Sequence, residues 1–283
     1  MAYQFIDAAV EGGVLIVTLD DQPTRNAIGD EMAGELNQEL ERLESEADLR
    51  ALVLTGRDPA FCSGANVKRM NEANEARGDT SVPEGVTPWD NLQRQWDTMA
   101  SGESYMDGVR FVPLRLHNLQ KPSIAAVNGY AMGLGMGIAL SCDIRIASET
   151  ARFSETFIRR GLIPADGSCW QLPRMIGLSN TFLLQYTGDA IEAREAYRLG
   201  MVSKVVPHSE LMAATMELAT RLANGPTYSM ALTKKLIQES LFKNLEESLL
   251  LAGPAQNIAR STSDHKEGVR AFVEKRQPVY KGR

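Results

Sequence analysis

The residues best placed to do chemistry are glycines at the junctions between apolar strands and helices. In "KPSIAAVNGYAMGLGMGIALSCDIRIAS", Lys121 to Ser148, four glycines (Gly129, Gly133, Gly135, Gly137) interrupt an otherwise apolar run. Gly133 falls at a strand-to-helix turn. The first N–H groups of a helix have no intrahelical partner and point outward, with the positive end of the helix dipole behind them. Such a place suits a bound anion or an oxyanion that forms during a reaction. "CSGANV" holds a second place of this kind. There Gly64 permits an unusual turn, and the N–H of Ala65 opens the next helix. Two backbone donors from separate turns can grip one carbonyl oxygen. Tight helix packing by itself accounts for Gly135 and Gly137.

Other chemistries fit less well. The dinucleotide fingerprint Gly-x-Gly-x-x-Gly fails because the third glycine is misplaced, and no Walker lysine follows. The uncharged part from Pro122 to Cys142 has about the length of a membrane-spanning helix, ~20 residues. It carries Asn128 and an Asn-Gly turn signal, so a buried strand followed by a buried helix explains it better. His117, His208 and His265 are far apart and show no metal-ligand spacing. His208 follows Pro207 in a turn that faces solvent, and His117 lies near the least patterned part of the chain. Cys62, Cys142 and Cys169, odd in number and scattered, read as packing residues in a reducing compartment.

The elements that must position these turns follow from periodicity. The chain has 283 residues, 43% hydrophobic and 23% charged, enough for one large domain or a domain with an appendage. A net charge of −6 gives nucleic-acid binding no support. The N-terminus lacks the basic start and apolar block of a secretion signal, and a cytoplasmic protein is expected. Gly12-Gly13 between two apolar runs predicts a β-hairpin. Asp30 is placed to cap a helix whose apolar face is Met32, Leu36, Leu40, Leu43 and Ala47. Ala51 to Leu54, Ser123 to Val127 and Asp143 to Ala147 read as buried strands alternating with helices, so the class is α/β with crossover connections. Asn71 to Gln120 is weakly patterned and polar, with isolated Trp89, Trp96 and Tyr105, and reads as the variable wall of any pocket. After Glu192 the chain turns mainly helical.

Several segments together carry a family resemblance. They are "TRNAI", "AFCSGANVKRM", the glycine-rich stretch above, "GLIPADGSCWQLPRMIG", "TGDAIEAREAYRLGMVSKVVP" and "EGVRAFVEKRQP". In this order the chain resembles the crotonase superfamily, which includes the enoyl-CoA hydratases and isomerases. The resemblance implies a spiral of ββα repeats over residues 1–200 that holds an acyl-CoA site. It assigns the C-terminal helical region, 201–283, to trimerisation and CoA contact. It also implies a homotrimer or homohexamer, no prosthetic group, no metal, and a coenzyme A thioester as ligand. By the family pattern the N–H groups of Ala65 and Leu134 form the oxyanion hole. Arg25, Ala27, Ala65, Asn66, Val67 and Lys68, with Phe272 and Lys275 near the C-terminus, match CoA-contacting positions. For the two lysines a solvated helix face is the plainer alternative.

The sequence departs from that family where hydration needs its two glutamates: Gly137 and Phe157 occupy those positions. Asp166 is the nearest substitute, a loop aspartate able to act as a single base. Its competing role is to cap the helix that starts near Ser168. Glu155 is the second candidate acid, with an exposed ion pair to Arg159, four residues on, as its competing role. The expectation is an enoyl-CoA hydratase-like enzyme that stabilises a thioester enolate. Double-bond migration through a single acid, or CoA-thioester binding with little catalysis, are the alternatives.

Overall fold

The computed structural model describes residues 3–77, 85–99 and 111–283. The chain opens with a hairpin, β1 Ile6–Glu11 and β2 Val14–Leu19, closed by the two glycines with Glu11 opposite Val14. Both glycines have positive φ, 55° and 80°, as a two-residue turn of this hand requires. Helix α1, Asp30–Ser45, buries Met32, Leu36, Leu40 and Leu43. Two details of the α1 expectation are corrected. Gly29 is the cap and makes no side-chain bond, so Asp30 acts as a first-turn charge facing the helix dipole. Ala47 lies beyond the helix and is exposed, whereas Leu49 is buried in its place.

Three further repeats follow one plan. Strands β3 Ala51–Gly56 and β4 Ala60–Cys62 precede α2 Val67–Arg77. Two helices, α3 Pro88–Met99 and α4 Phe111–Asn118, then lead to β5 Ser123–Val127, β6 Tyr130–Met132 and α5 Leu134–Ser141. Finally β7 Ile144–Ser148 and β8 Arg152–Ser154 precede α6 Ser168–Thr187. In each repeat the first strand joins a six-stranded sheet ordered β1-β2-β3-β5-β7-β10, where β10 is Lys204–Val206. The second joins a small sheet, β4-β6-β8-β9, whose last strand is Ile191–Glu192. The result is a spiral of ββα repeats. Beyond β1, the large sheet is parallel throughout. Along β3, Leu52 and Leu54 face the main core while Ala51 and Val53 face a second core under α8, Leu211–Ala223. The short α7, Ala193–Arg198, links β9 to β10. The chain ends in α9 Thr227–Ser240, α10 Leu245–Ser261 and α11 Ser263–Glu274.

Helix α5 is held at both ends and along one side. The Arg145 guanidinium, buried, donates to the carbonyls of Leu140 at 3.2 Å and Cys142 at 2.6 Å, at the helix C-terminus. Gly135 lies against β4 so closely that a Cβ there would sit 2.2 Å from the Cys62 carbonyl. The packing reading of Gly135 therefore holds. Cys62 and Cys142 are buried as expected, whereas Cys169 is exposed and not core filler. It falls at the second residue of α6, on the side away from the core. Tyr105 lies outside the described residues; Trp89 and Trp96 are exposed on α3.

Asn26, which the sequence reading passed over, ties the "TRNAI" turn to the sheet edge. It is fully buried with φ 60°. Its amide donates to Arg57 O at 2.8 Å and Ala60 O at 2.7 Å, and its Oδ1 accepts from the Asp21 N–H at 3.0 Å. Replacing it strands buried backbone groups. Asn26→Ala should cost about 2 kcal/mol, read as a lower denaturant midpoint with an unchanged m-value.

Candidate active site

Two turns meet beside the N-terminus of α5. Gly133 caps the helix with φ 50° and ψ −120°, a conformation side chains disfavour, and its N–H donates to Ser154 O at 2.7 Å. Gly64, with φ 104°, turns the chain after β4. A Cβ on Gly64 would lie 2.7 Å from Met132 O and 3.8 Å from the Leu134 nitrogen. Ala65 does not start a helix, as the sequence suggested; it forms a parallel bridge to Ile28, and α2 begins at Val67. That bridge uses the Gly64 carbonyl, which accepts from the Ile28 N–H at 2.8 Å. Among the described residues neither the Ala65 nor the Leu134 N–H has a hydrogen-bond partner. Two adjacent free donors remain.

A buried carboxyl from another element lies against the same helix, one turn along. A Cβ on Gly137 would meet Asp166 Oδ2 at 2.2 Å. The missing side chain thus makes room for a carboxyl from the loop before α6. Gly137 lies about 4.5 Å beyond Leu134 along the helix axis. At the start of α6, Asp166 Oδ1 accepts the Ser168 N–H at 3.0 Å, while Oδ2 is buried with no partner among the described residues. The ring of Phe157 closes the next side, 3.6 Å from a Cβ built on Gly133.

Glu155 is not a surface residue. It is fully buried, and Arg159 pairs instead with Asp189 at 2.8 Å. The four-residue spacing misled because residues 156–160 form a tight 3-10 turn, not an α-helix. Ser168 Oγ lies 2.9 Å from Glu155 Oε2 and 2.7 Å from Asp166 Oδ1. Burial, with the neighbouring Asp166 charge, pushes the Glu155 carboxyl up to about 9, and burial also raises Asp166. Nothing in local spacing indicates that Glu155 and Ser168, thirteen residues apart, meet. Ser168 alone was legible, as a hydroxyl at a helix start.

The expected CoA positions divide into two groups. The "TRNAI" and "CSGANV" turns are laced together: Ser63 N–H donates to Arg25 O at 3.1 Å, and Ser63 Oγ to Thr24 O at 2.7 Å. Arg25, Ala27, Ala65, Asn66, Val67 and Lys68 therefore share one edge, with Arg25, Val67 and Lys68 exposed. Phe272, 85% exposed, and Lys275 belong to α11 and its C-cap, and the main neighbour of α11 is α10. His117 packs edge-on to Trp170 at 5.3 Å, in a cavity of about 600 Å³ at the C-terminal end of α5. Arg174 covers the Trp170 ring at 4.2 Å, so that indole is engaged by protein. His208 is exposed and meets Asp58 at 3.1 Å and Ser148 at 3.2 Å. No group of three potential metal ligands occurs among the described residues, and no helix there is long and apolar enough to cross a membrane.

A profile of the enoyl-CoA hydratase/isomerase family matches residues 9–103 and 93–283. The chain belongs to this family. With it the chain joins the crotonase superfamily, as an acyl-CoA enzyme of the hydratase/isomerase type. It is 35% identical over 282 residues to 1,2-epoxyphenylacetyl-CoA isomerase of Escherichia coli K12, covering 99% of both chains. It is 32% identical over 268 residues to a short-chain-enoyl-CoA hydratase of Clostridium acetobutylicum, covering 94% of each. Among solved structures, an enoyl-CoA hydratase of Bacillus anthracis superimposes with a TM-score of 0.83 at 30% identity, covering 99% of this chain and 100% of that one.

The buried acid has a stability consequence. Glu155 binds its proton more tightly folded than unfolded, so its contribution is fully present below about 4.5 and is lost as pH rises toward about 9. Glu155→Gln, which cannot ionise, should flatten the fall in unfolding free energy across that window. Parallel denaturation curves for the two proteins at each pH would refute it.

Proposed function

We propose that this protein moves a proton at the carbon next to a CoA thioester, using Asp166 as its single acid/base group. The reaction we favour is migration of a double bond in an enoyl-CoA. The observation that carries this reading is the partnerless Asp166 Oδ2 lying against Gly137, one helical turn from the free Leu134 amide. In the reaction the carbon–hydrogen bond at Cα breaks and an Oδ2–H bond forms. The electron pair passes into the thioester, whose oxygen takes up negative charge between the Ala65 and Leu134 amides. Return of the same proton to Cγ completes the shift with no net gain or loss. Two preorganised donors stabilise the charged oxygen more than the neutral carbonyl, and that difference is the catalysis.

Gly137 and Phe157 stand, on this reading, where a two-glutamate hydratase keeps its acids. The Phe157 ring offers no base for a water molecule, and the remaining carboxyl, Glu155, sits behind Ser168. A single-carboxyl reaction is what this set of groups supports. One relative is named as an isomerase, of an epoxide CoA thioester; hydration is the reading the hydratase relatives favour. The edge formed by Arg25, Ala27 and Ala65 to Lys68 would carry the CoA nucleotide. Phe272 and Lys275 would reach it from a neighbouring copy in a trimer or hexamer. The exposed Leu245, Leu249, Leu250 and Val273 on the last helices support an assembly role for 201–283.

Two substrates separate the readings. A 3-enoyl-CoA should gain the absorbance of a conjugated thioester, while crotonyl-CoA should keep its own; the reverse result means hydration. Tight binding of both without turnover means a CoA-thioester binder. Asp166→Asn should lower the rate by about 10³-fold, and full activity in that variant removes Asp166 from the mechanism. Gly64→Ala would force the Gly64 and Gly133 turns apart. It should cost about 100-fold in kcat, with a smaller change in KM.

A further inference from the structure

Ser168 has two carboxyl oxygens within hydrogen-bond distance and one proton to donate. Both contacts are hydrogen bonds only if one carboxyl carries a proton of its own and donates it to Ser168 Oγ. The surroundings decide which one. Asp166 Oδ1 already accepts the Ser168 N–H at 3.0 Å, a fixed donor that favours a carboxylate. Among the described residues Glu155 has no backbone donor, and its buried Oε1 has no partner. The Gln185 amide lies 3.4 Å from Ser168 Oγ and donates to it, which leaves the serine's own hydrogen free to point at Asp166.

We propose that Glu155, Ser168 and Asp166 form a two-carboxyl unit holding one resident proton. Glu155 stores that proton, and Ser168 relays its orientation, so that Asp166 is the carboxylate. Glu155 is a positioning residue and touches no substrate. Protonated Glu155 donates to Ser168 Oγ, and Ser168 donates to Asp166 Oδ1. That bond and the Ser168 N–H hold Asp166 by one oxygen and leave Oδ2 free beside Gly137. Without the proton on Glu155, the Ser168 hydroxyl turns to Glu155, and Asp166 loses a donor while facing a second negative charge. Throughout the cycle only Oδ2 gains and returns a proton; Glu155 keeps its own. This inference rests on Asp166 being the working base.

The titratable groups around the unit are few. Cys169, on α6, places its thiol 3.5 Å from Pro164 O and 3.7 Å from Gln185 Oε1; its partial burial, and then the two carboxyls, push it up. Arg159, on the turn after Glu155, is drawn out to Asp189. Helix α5 presents Gly137, which carries no charge. An alkaline limb in the rate therefore belongs to Glu155 or to Cys169, and Cys169→Ala separates the two.

The test joins spectroscopy to kinetics. Near pH 7, the infrared spectrum should contain the carbonyl band of a buried protonated carboxylic acid, retained in Asp166→Asn and absent in Glu155→Gln. A band lost in Asp166→Asn but kept in Glu155→Gln overturns the assignment, whatever either variant's activity. In kinetics, Glu155→Leu should lose about 10–100-fold in kcat, the scale of one misplaced catalytic group. Glu155→Gln, whose amide can still donate to Ser168, should recover most of that loss and abolish the alkaline limb. In a Ser168→Ala background the difference between Gln and Leu at 155 should vanish. An unchanged alkaline limb in Glu155→Gln, or equal rates for Gln and Leu with Ser168 intact, overturns the relay. Full activity in Asp166→Asn would instead remove the base itself.

Discussion

The contact between β4 and the start of α5 is the constraint on which the rest depends. Neither side of it tolerates a side chain. Gly135 lies against the Cys62 carbonyl, and Gly64 against Met132 and the Leu134 nitrogen. Backbone pressed on backbone fixes the spacing of two amides from different segments. Side-chain donors would bring rotamer freedom; main-chain donors fixed by close packing do not. The ββα repeat supplies this contact, since each short second strand delivers its turn to the small sheet directly beside the next one.

Around that contact the fold spends buried polar groups as fasteners. Asn26 clamps the turn preceding α1 to the carbonyls leading into β4, and Arg145 gathers the carbonyls at the far end of α5. Each satisfies backbone groups that would otherwise be stranded, and each sits at an end of the elements that carry the free amides. Two of the unpartnered buried atoms among the described residues, Glu155 Oε1 and Asp166 Oδ2, belong to the carboxyls that share Ser168. Buried carboxyls with open oxygens cost stability and are expected where chemistry needs a proton held away from water.

The placement of Asp166 shows how one element fills the space that another leaves. A side chain on α5 would project from Gly137, and a carboxyl from the neighbouring loop occupies that space instead. Asp166 lies two residues before Ser168, the first residue of α6, so it is anchored by the helix's first amide and by the Ser168 hydroxyl, which in turn touches Glu155. The Asp166 carboxyl therefore comes with a second carboxyl and a bridging hydroxyl.

Much of this molecule was legible in its sequence. The hairpin, the buried strands at Ala51, Ser123 and Ile144, the amphipathic α1 and the paired glycine turns all follow from local periodicity and from glycine's freedom at positive φ. The short strands β4, β6 and β8 were not legible, since three residues are too few to show a period. Asp166 was readable as a candidate because a loop aspartate before a helix start is a local pattern. The burial of Glu155, its meeting with Ser168, the role of Asn26 and the exposure of Cys169 were decided by the tertiary structure alone. Each depends on which face of one element is pressed against another distant in sequence. Local spacing records the turn a residue makes, and only packing records what that turn is brought to touch.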